Sequence, residues 1–399
     1  MSARSLKALA RRLVGKAVPA SSPSFAALRP PEKASVLRCG VIGLGMMGKT
    51  HAAVLRRHPW FELTAVVSTN PPTRIAVEKQ GTFLFDTAEQ MIGSGKVDLV
   101  VIATPHWQHA GLTVAALKAG LHVVCEKPLT VTMSQADEVL TAAEGSKGRL
   151  TVVFQRRFEP AYQQVKSLLA GGELGAILRC EMVESFWRSD AYYRSGSWRG
   201  TWKGEGGGVL VNQAPHVLDR YAWLCGMPET VSGFCDTVMH RIEVEDAASV
   251  IFLHAGGMQG YVHVSTNECP TVSRAMFSCD RGRITIENGA IRVETLRRSI
   301  RAHTMETGDP WGDIESESRH SEAPLLDSQE ELLGRFYTNV ARAIAGEEPL
   351  LVTGAEAANA VELATSILLS SATGQAVSLP LNRESYDAFI HEKIGARES

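Results

Sequence analysis

The chain has 399 residues, 44% of them hydrophobic, and a formal net charge of -2. That length suits two domains with their own cores, and the near-neutral charge gives no electrostatic reason to expect nucleic acid. No apolar run is long enough to cross a bilayer, so we expect no membrane partner. The 7 cysteines are scattered without metal-ligand spacing. This predicts no metal site and is typical of buried thiols in a reducing compartment.

The segment before Glu32 contains arginines and lysines but no acidic residue. Its leucines fall on one helical face, which is typical of an organelle transit peptide. A disordered leader, or translation from an upstream start codon, explains the same composition. We therefore treat residues 1–34 as a leader and expect the protein in the cytoplasm, or in the mitochondrial or plastid matrix if the leader is a transit peptide.

A β-type run ends just before Gly43, and a helical stretch follows the sequence GLGMMG. In this setting the pattern predicts a dinucleotide site rather than an ordinary glycine turn. Gly43 permits the tight turn, Gly45 lets the backbone approach a pyrophosphate, and Gly48 lets the helix pack close to the strand. The helix N-terminus at Met46 and Met47 offers free N–H groups to the phosphates.

The end of the second predicted strand, 61–68, indicates which cofactor is preferred. NAD sites usually carry an acidic residue there to hold the ribose 2′-hydroxyl. Here the strand ends at Ser68, and Arg74 follows a few residues later. The pattern favours NADP over NAD, although Arg74 also fits a solvated helix start and Ser68 tolerates either cofactor.

Short β-type runs alternate with helical stretches through the first part of the chain, which predicts a doubly wound parallel sheet, a Rossmann domain, over 35–155. The predicted strands are 36–42, 61–68, 82–85, 97–103, 121–125 and 149–154. The run at 97–103 is almost entirely apolar, as expected for a strand buried on both faces.

Two polar segments follow strands of this sheet at their carboxyl ends, where ligands collect in open α/β sheets. Thr104, Pro105 and His106 follow the strand 97–103, and we expect them near the nicotinamide end of the cofactor. His109 is included as a cofactor contact, although it also suits a helix cap. We do not assign it a catalytic role.

The second segment is Glu126-Lys127-Pro128, after the strand 121–125. A residue before proline is pushed into an extended conformation, so Lys127 should project from the strand end beside Glu126, a further cofactor contact. Partial burial would lower the pKa of Lys127 towards the range useful for acid–base chemistry. The alternative is an ordinary surface lysine.

Beyond residue 155 the pattern changes to an α+β domain, 156–399. After one helix at 160–170, alternating runs predict a large, mostly antiparallel sheet. These runs are 176–186, 230–240, 245–254, 259–266, 273–278 and 281–295. We predict a loop over 296–326 and two final helices at 328–346 and 354–372.

A glycine-rich segment, 204–208, precedes a predicted helix over 209–224. Asn212 and His216 are four residues apart on it and should share one face. A neutral imidazole beside an amide can accept a proton and orient a hydroxyl. Helical histidines are more often structural, and Pro215 indicates a kink.

Several motifs together resemble the Gfo/Idh/MocA family, which includes glucose-fructose oxidoreductase and inositol dehydrogenase. They are the Gly43–Gly48 fingerprint, DLVVIATP at 98–105, HVVCEKP at 122–128, RFEP at 157–160 and the segment 206–219. The resemblance covers about 36–381. It implies an open-faced sheet in the second domain and assembly as a homodimer or homotetramer.

The resemblance also implies site roles. The family's catalytic lysine corresponds to Lys127, and its acid–base histidine corresponds to His216. The family's common aspartate four residues before that histidine is replaced here by Asn212, which removes the histidine's carboxylate partner. Asn212 is therefore predicted to orient the reacting hydroxyl.

The implied activity is reversible hydride transfer between NAD(P) and a carbon bearing a hydroxyl on a sugar, sugar derivative or cyclitol. Arg157, Tyr193 and Trp198 join Lys127 and the helix pair as predicted substrate contacts, because aromatic rings cover a sugar's C–H face and arginines bind its hydroxyls. Several tryptophans instead suit the core or an interface. Two alternatives within the family are an NAD-dependent glycosidase and a non-catalytic nucleotide-binding regulator.

Overall fold

A computed structural model gives the structure of residues 36–69, 82–322 and 328–395, which contain two sheets and the helices that pack on them. The first sheet consists of β1 Leu37–Ile42, β2 Phe61–Val67, β3 Phe83–Phe85, β4 Leu99–Ile102, β5 His122–Cys125 and β6 Leu150–Val152. Its strand order is β3-β2-β1-β4-β5-β6, and all five pairings are parallel. The predicted Rossmann sheet is thus confirmed.

Helices cover both faces of this sheet. They are α1 Met46–Arg57, α2 Ala88–Ile92, α3 His109–Lys118 and α4 Met133–Glu144, with a 3₁₀ turn at His106–Gln108. The four residues of β4 are fully buried, as its apolar sequence predicts. Adjacent residues of β1 belong to two separate cores: Val41 to the one that includes α1, and Ile42 to the one that includes α3 and α4. Strand order reverses between β1 and β4, where ligands bind in such folds.

The second sheet has nine strands. They are β7 Ile177–Ser185, β8 Thr230–Asp236, β9 Ala247–Leu253, β10 Gln259–Ser265, β11 Ser273–Cys279, β12 Gly282–Glu287, β13 Ala290–Leu296, β14 Ser316–Glu322 and β15 Val377–Ser378. Their order is β14-β13-β12-β11-β7-β10-β9-β8-β15. Only β7 and β10 pair in parallel, so the predicted mostly antiparallel sheet is confirmed.

The helices of this second part lie around that sheet and between the two sheets. They are α5 Pro160–Ala170, α6 Asp190–Arg194, α7 Trp202–Glu205, α8 Val209–Asn212, α9 Pro215–Cys225, α10 Ile300–Glu306, α11 Gln329–Ile344, α12 Gly354–Thr373 and α13 Arg383–Gly395, with 3₁₀ turns at Gln155–Phe158 and Ala255–Gly257. Helix α11 returns to the first sheet, where Phe336 and Tyr337 pack against Leu55 and Phe61. The predicted division at residue 155 separates the two sheets but not this helix.

Three predictions of local structure were wrong. The run at 281–295 is a hairpin of β12 and β13, because Asn288 and Gly289 adopt positive φ angles of 49° and 89° and close a tight turn. The predicted loop at 296–326 contains α10 and β14. The predicted helix at 209–224 is broken into α8 and α9, since Pro215 lacks an N–H and starts a new first turn.

None of the helices in the described ranges combines the length and apolar character that crossing a bilayer requires. Within those same ranges, no group of three or more His, Cys, Asp or Glu side chains is arranged to hold a metal ion. The leader, 1–34, and Arg74 lie outside the described residues.

Candidate functional site

A cleft of about 1500 Å³ lies where the carboxyl ends of β1, β4 and β5 face the second sheet. From the first sheet it is lined by 42–47, 67–69, 86–89, 103–109, 111–112, Ala115, Glu126 and Lys127. From the remainder of the chain it is lined by Gln155, Arg156, Phe186, Arg188, Tyr192, Trp198, Arg199, Asn212, Gln213, His216 and Gln329. Both predicted catalytic segments therefore meet the glycine turn in one space.

The glycine turn has the shape that a dinucleotide requires. Gly43 has a φ of +91°, a conformation that side chains disfavour. A Cβ on Gly45 would meet nothing within 4 Å, so the space above the start of α1 is open. A Cβ on Gly48 would lie 1.8 Å from the Gly43 carbonyl oxygen, so this glycine sets the close approach of helix and turn. The backbone at Met46 and Met47 begins α1 beside that open space. The residues present fit a pyrophosphate.

The remaining predicted cofactor contacts fall along the same cleft. Ser68 lines it at the end of β2, and Thr104, Pro105 and His106 line it after β4. Burial lowers the pKa of His106 to about 3, so its ring is neutral at ordinary pH. These four residues stay predictions as cofactor contacts.

His109 lies against the cleft but is tied to the protein backbone. Its Nδ1 is 2.7 Å from the Pro128 carbonyl oxygen, and its Nε2 is 2.9 Å from the Thr104 carbonyl oxygen. Both nitrogens therefore face backbone carbonyl oxygens, and a neutral ring donates its single N–H to one of the two. This geometry favours the structural alternative: His109 joins the loop after β4 to the loop that carries Lys127.

Glu126 is buried and held by a chain of hydrogen bonds. Its Oε1 lies 2.8 Å from His51 Nε2, and Tyr337 Oη lies 2.7 Å from His51 Nδ1. Its Oε2 accepts from the backbone N–H of Lys127 at 3.1 Å. Although burial raises the pKa of the Glu126 carboxyl, the hydrogen bond from His51 contributes to a net lowering. Glu126 is therefore ionised, and its carboxylate fixes the backbone of Lys127.

Lys127 projects from the end of β5 into the cleft, as the proline after it predicts. Its Nζ donates to the backbone carbonyl oxygen of Asn212 at 2.5 Å. Burial lowers the pKa of Lys127, and the positive charges of Arg188 and Arg199 act in the same direction, while Glu126 and Glu205 oppose them. A lysine held in this way can donate to a ligand oxygen at the join between the two sheets.

Asn212 and His216 reach the cleft from two helices rather than from one. Asn212 ends α8, where its Nδ2 donates to the Tyr192 hydroxyl at 3.2 Å and to Glu205 Oε1. His216 lies in the first turn of α9, with its ring 5.7 Å from that of Phe154. The predicted stacking on one helical face was wrong, because Pro215 restarts the helix between them.

The ring of His216 is neutral and incompletely bonded. Burial lowers its pKa well below the ordinary value, and the nearby charges of Arg156, Lys127 and Arg220 lower it further. Its buried Nδ1 has no hydrogen-bond partner within the described part of the chain. Because buried polar atoms are nearly always paired, this unpaired nitrogen is an exception that a functional role for the ring would explain.

Arg157 corrects one predicted substrate contact. Its side chain is 1% exposed, and its Nε and Nη2 donate to the Asp219 carboxylate at 2.9 and 2.7 Å. Its Nη1 donates to the Leu351 carbonyl at 2.9 Å. The arginine that lines the cleft is its neighbour Arg156, because the 3₁₀ turn here points the two side chains in different directions.

Tyr193 is a second predicted substrate contact that the structure contradicts. It is buried, its hydroxyl lies 3.0 Å from Thr266 Oγ1, and its ring packs 4.7 Å from that of His240. The preceding residue, Tyr192, lines the cleft instead. Trp198 also lines the cleft, and its contact with a substrate stays a prediction.

Glu205 is a functional candidate that no sequence motif predicted. Glu205 is 1% exposed. Its carboxylate accepts hydrogen bonds from Asn212 Nδ2 and from the Gly200 N–H, the latter at 2.7 Å. It also lies 3.9 Å from Arg199 Nη1. Burial raises its pKa, while Gly200, Arg199, Asn212 and Lys127 oppose that shift. It places a carboxylate beside Asn212. The one sequence feature that could have indicated Glu205 is its position just before the glycines at 206–208.

The glycine cradle, the six parallel strands and the lysine at the strand edge define a dinucleotide-binding oxidoreductase fold. A family model described as the oxidoreductase family with an NAD-binding Rossmann fold matches 37–154, and the GFO/IDH/MocA C-terminal domain matches 162–285. The chain belongs to the GFO/IDH/MocA family, as its motifs suggest.

Individual relatives agree with this assignment. The chain is 36% identical over 201 residues to the uncharacterized oxidoreductase YdgJ of Escherichia coli, covering 49% of this chain and 56% of that protein. It is 27% identical over 274 residues to the inositol 2-dehydrogenase of Rhizobium meliloti, covering 65% of this chain and 76% of that protein. The chain spans little more than half the length of the first curated relatives it matches.

The fold also matches solved structures. The WlbA dehydrogenase of Bordetella pertussis, in complex with NADH and UDP-GlcNAcA, superposes with a TM-score of 0.73 and 26% identity. This likeness covers 87% of the present chain and 99% of WlbA. The two-sheet arrangement is therefore shared along nearly the whole of that enzyme.

Proposed function

We propose that this chain is an NAD(P)-dependent dehydrogenase that interconverts a hydroxyl and a ketone on a sugar, sugar derivative or cyclitol. The observation that carries the proposal is that Lys127 and the neutral, partly unbonded His216 line the same cleft as the open glycine cradle. A titratable pair with shifted pKa values beside a cofactor cradle is the arrangement that hydroxyl oxidation needs.

The bound nicotinamide supplies the hydride acceptor in the oxidation direction. The protein's task is to hold the hydroxyl and remove its proton. Lys127 donates a hydrogen bond to the hydroxyl oxygen, and the neutral ring of His216 accepts the proton as the C–H bond breaks and the C=O bond forms. Asn212 positions Lys127 through its backbone carbonyl oxygen.

The substrate class rests on the lining of the cleft and on the relatives. Phe186 offers a flat apolar face for a sugar ring, as does the face of Trp198 that Arg199 does not cover, and Gln213 and Asn212 offer amides for its hydroxyls. The relative named inositol 2-dehydrogenase acts on a cyclitol, and WlbA was solved with a sugar nucleotide. We extend that class to this chain.

The test is reduction of NAD⁺ and NADP⁺ by the purified protein across a panel of sugars, sugar acids, glycosides and inositols. The proposal expects absorbance of reduced cofactor to rise with one class of substrate. Sugar release from a glycoside without net cofactor reduction would favour the glycosidase instead. Cofactor binding with no reaction on any member would favour a regulator.

We further propose that NADP binds more tightly than NAD. No carboxylate follows β2 directly, where Ser68 and Thr69 line the cleft, so the residue that holds the ribose 2′-hydroxyl in NAD sites is missing from its usual place. The nearest acidic residue that lines this part of the cleft is Asp86, which follows the neighbouring strand β3. We expect a lower dissociation constant for NADPH than for NADH, and we expect Arg74→Ala to remove most of the difference. Equal affinities in the unmodified protein, measured by fluorescence titration, would contradict this preference.

We propose that Glu205 is a positioning residue for this reaction. Its charge raises the pKa of Lys127, and its carboxylate holds Asn212 Nδ2. Glu205→Gln should lower kcat about tenfold, because a hydrogen bond to a charged group is worth roughly 1.5–3 kcal/mol. It should also shift the Lys127 limb of the pH–rate profile to lower pH.

The pH–rate profile distinguishes a positioning role of Glu205 from a purely structural one. Glu205→Asp keeps the charge and should restore the position of the Lys127 limb, even if kcat recovers only in part. If the profile of the glutamine variant overlays that of the parent, Glu205 does not act through Lys127.

A further inference from the structure

Positive charge is concentrated at the end of the cleft that holds Lys127. Three arginines line this end together with the lysine: Arg156, Arg188 and Arg199. The charges of Arg188 and Arg199 both lower the pKa of Lys127, which places them close to it. The three arginines differ in how far the protein already neutralises them.

Two of the arginines have carboxylate partners. Arg156 lies 3.5 Å from Glu159 and 3.5 Å from Glu184. Arg199 lies 3.9 Å from Glu205 and is clamped further, since it donates to the Tyr192 hydroxyl at 2.7 Å and stacks 4.4 Å from the Trp198 ring. Carboxylates of the protein therefore largely neutralise the charges of these two arginines.

Arg188 differs from both. Its guanidinium donates only to the Trp187 carbonyl at 2.9 Å and stacks 5.0 Å from the Tyr192 ring, and within the described ranges no carboxylate lies within ion-pair distance of it. Its backbone is fixed, because its N–H donates to the Thr266 carbonyl at 3.0 Å and its carbonyl contacts His240 Nε2 at 3.0 Å. It is half-buried on the cleft wall.

The backbone of Arg188 is fixed, its side chain is half-buried, and its guanidinium has no carboxylate partner in the described ranges. Such a guanidinium is suited to bind an anion bidentately. We propose that Arg188 binds an anionic group of the substrate, so that this enzyme's substrate is a sugar carrying a carboxylate or a phosphate. The inference rests on the proposed dehydrogenase function and names its substrate class.

Binding to the NADH-loaded protein tests this directly. The probes are glucuronate, glucose 6-phosphate and glucose, measured by titration calorimetry. We expect at least one of the two anions to bind about tenfold or more tightly than glucose, since a charge-assisted bidentate contact exceeds one decade in affinity. The two anions tell a carboxylate site from a phosphate site.

Arg188→Gln should reduce that preference to within about threefold, because a neutral amide cannot form a charge-assisted bidentate pair with an anion. The matched control is Arg194→Gln, an arginine on the same segment that is 73% exposed and does not line the cleft. This control should keep the full preference. Glucose binding as tightly as both anions, no binding by either anion, or an unchanged preference in Arg188→Gln would each overturn the proposal.

Failure here and failure of the dehydrogenase function give different results. Oxidation of neutral sugars without preference for anions removes the anion site and leaves the dehydrogenase standing. Absence of oxidation across the panel removes the dehydrogenase, while the calorimetric preference and its loss in Arg188→Gln still decide the role of the arginine.

Discussion

Replacing Lys127 with methionine is expected to lower kcat by about 10²–10⁴-fold, the contribution that a positioned acid–base group makes. Methionine keeps the length and apolar stem of lysine but can neither donate to the hydroxyl oxygen nor carry charge. Because the Nζ points at Asn212 and not at the glycine cradle, cofactor affinity should remain within about threefold of the parent. Steady-state kinetics and cofactor titration measure both quantities.

The matched control is Lys118→Met, an exposed lysine at the end of α3 that does not line the cleft. It should change kcat by less than about twofold. Turnover of the Lys127 variant within a few-fold of the parent, with cofactor bound normally, would remove Lys127 from the chemistry.

Replacing Arg157 with methionine is expected to cost about 3–5 kcal/mol of the free energy of unfolding, because it leaves the Asp219 carboxylate buried without its partner. Asp219 is 1% exposed, so water cannot replace the guanidinium. Denaturant unfolding followed by circular dichroism measures the loss. The folded fraction should retain the parent's KM for substrate, since Arg157 does not line the cleft.

Two further variants keep this prediction decisive if the single variant folds poorly. The double variant Arg157→Met/Asp219→Leu removes both buried charges and should recover most of the lost stability, as apolar replacements of buried ion pairs commonly do. Arg156→Met should instead raise KM, because Arg156 lines the cleft, and it should cost less stability than Arg157→Met, because Arg156 is the more exposed of the two. A raised KM in a stably folded Arg157 variant would return this residue to the substrate site.

Much of the fold could be predicted because the patterns are local. The apolar run at 97–103 predicted a strand buried on both faces, and β4 is that strand. The Asn288-Gly289 pair is an equally local signal for a hairpin, but the alternating pattern around it predicts one long strand. In contrast, no local pattern predicted that α11 packs on the first sheet, since that contact joins distant parts of the chain.

The site was harder to predict at the level of single residues. Pro128 and the strand before it were enough to project Lys127 into the cleft. Choosing between Arg156 and Arg157, or between Tyr192 and Tyr193, required the rotation of short turns that composition does not encode. Glu205 was missed because its partners lie on loops folded around it and not at a fixed sequence spacing.

The measurement that tests the central proposal most directly is transfer of deuterium from a labelled substrate. A panel substrate carrying deuterium at the oxidised carbon is incubated with NAD⁺ or NADP⁺, and the reduced nicotinamide is examined by NMR. The proposed mechanism predicts one deuterium at C4 of the nicotinamide for each ketone formed. Product formation with no deuterium in the released cofactor would contradict it.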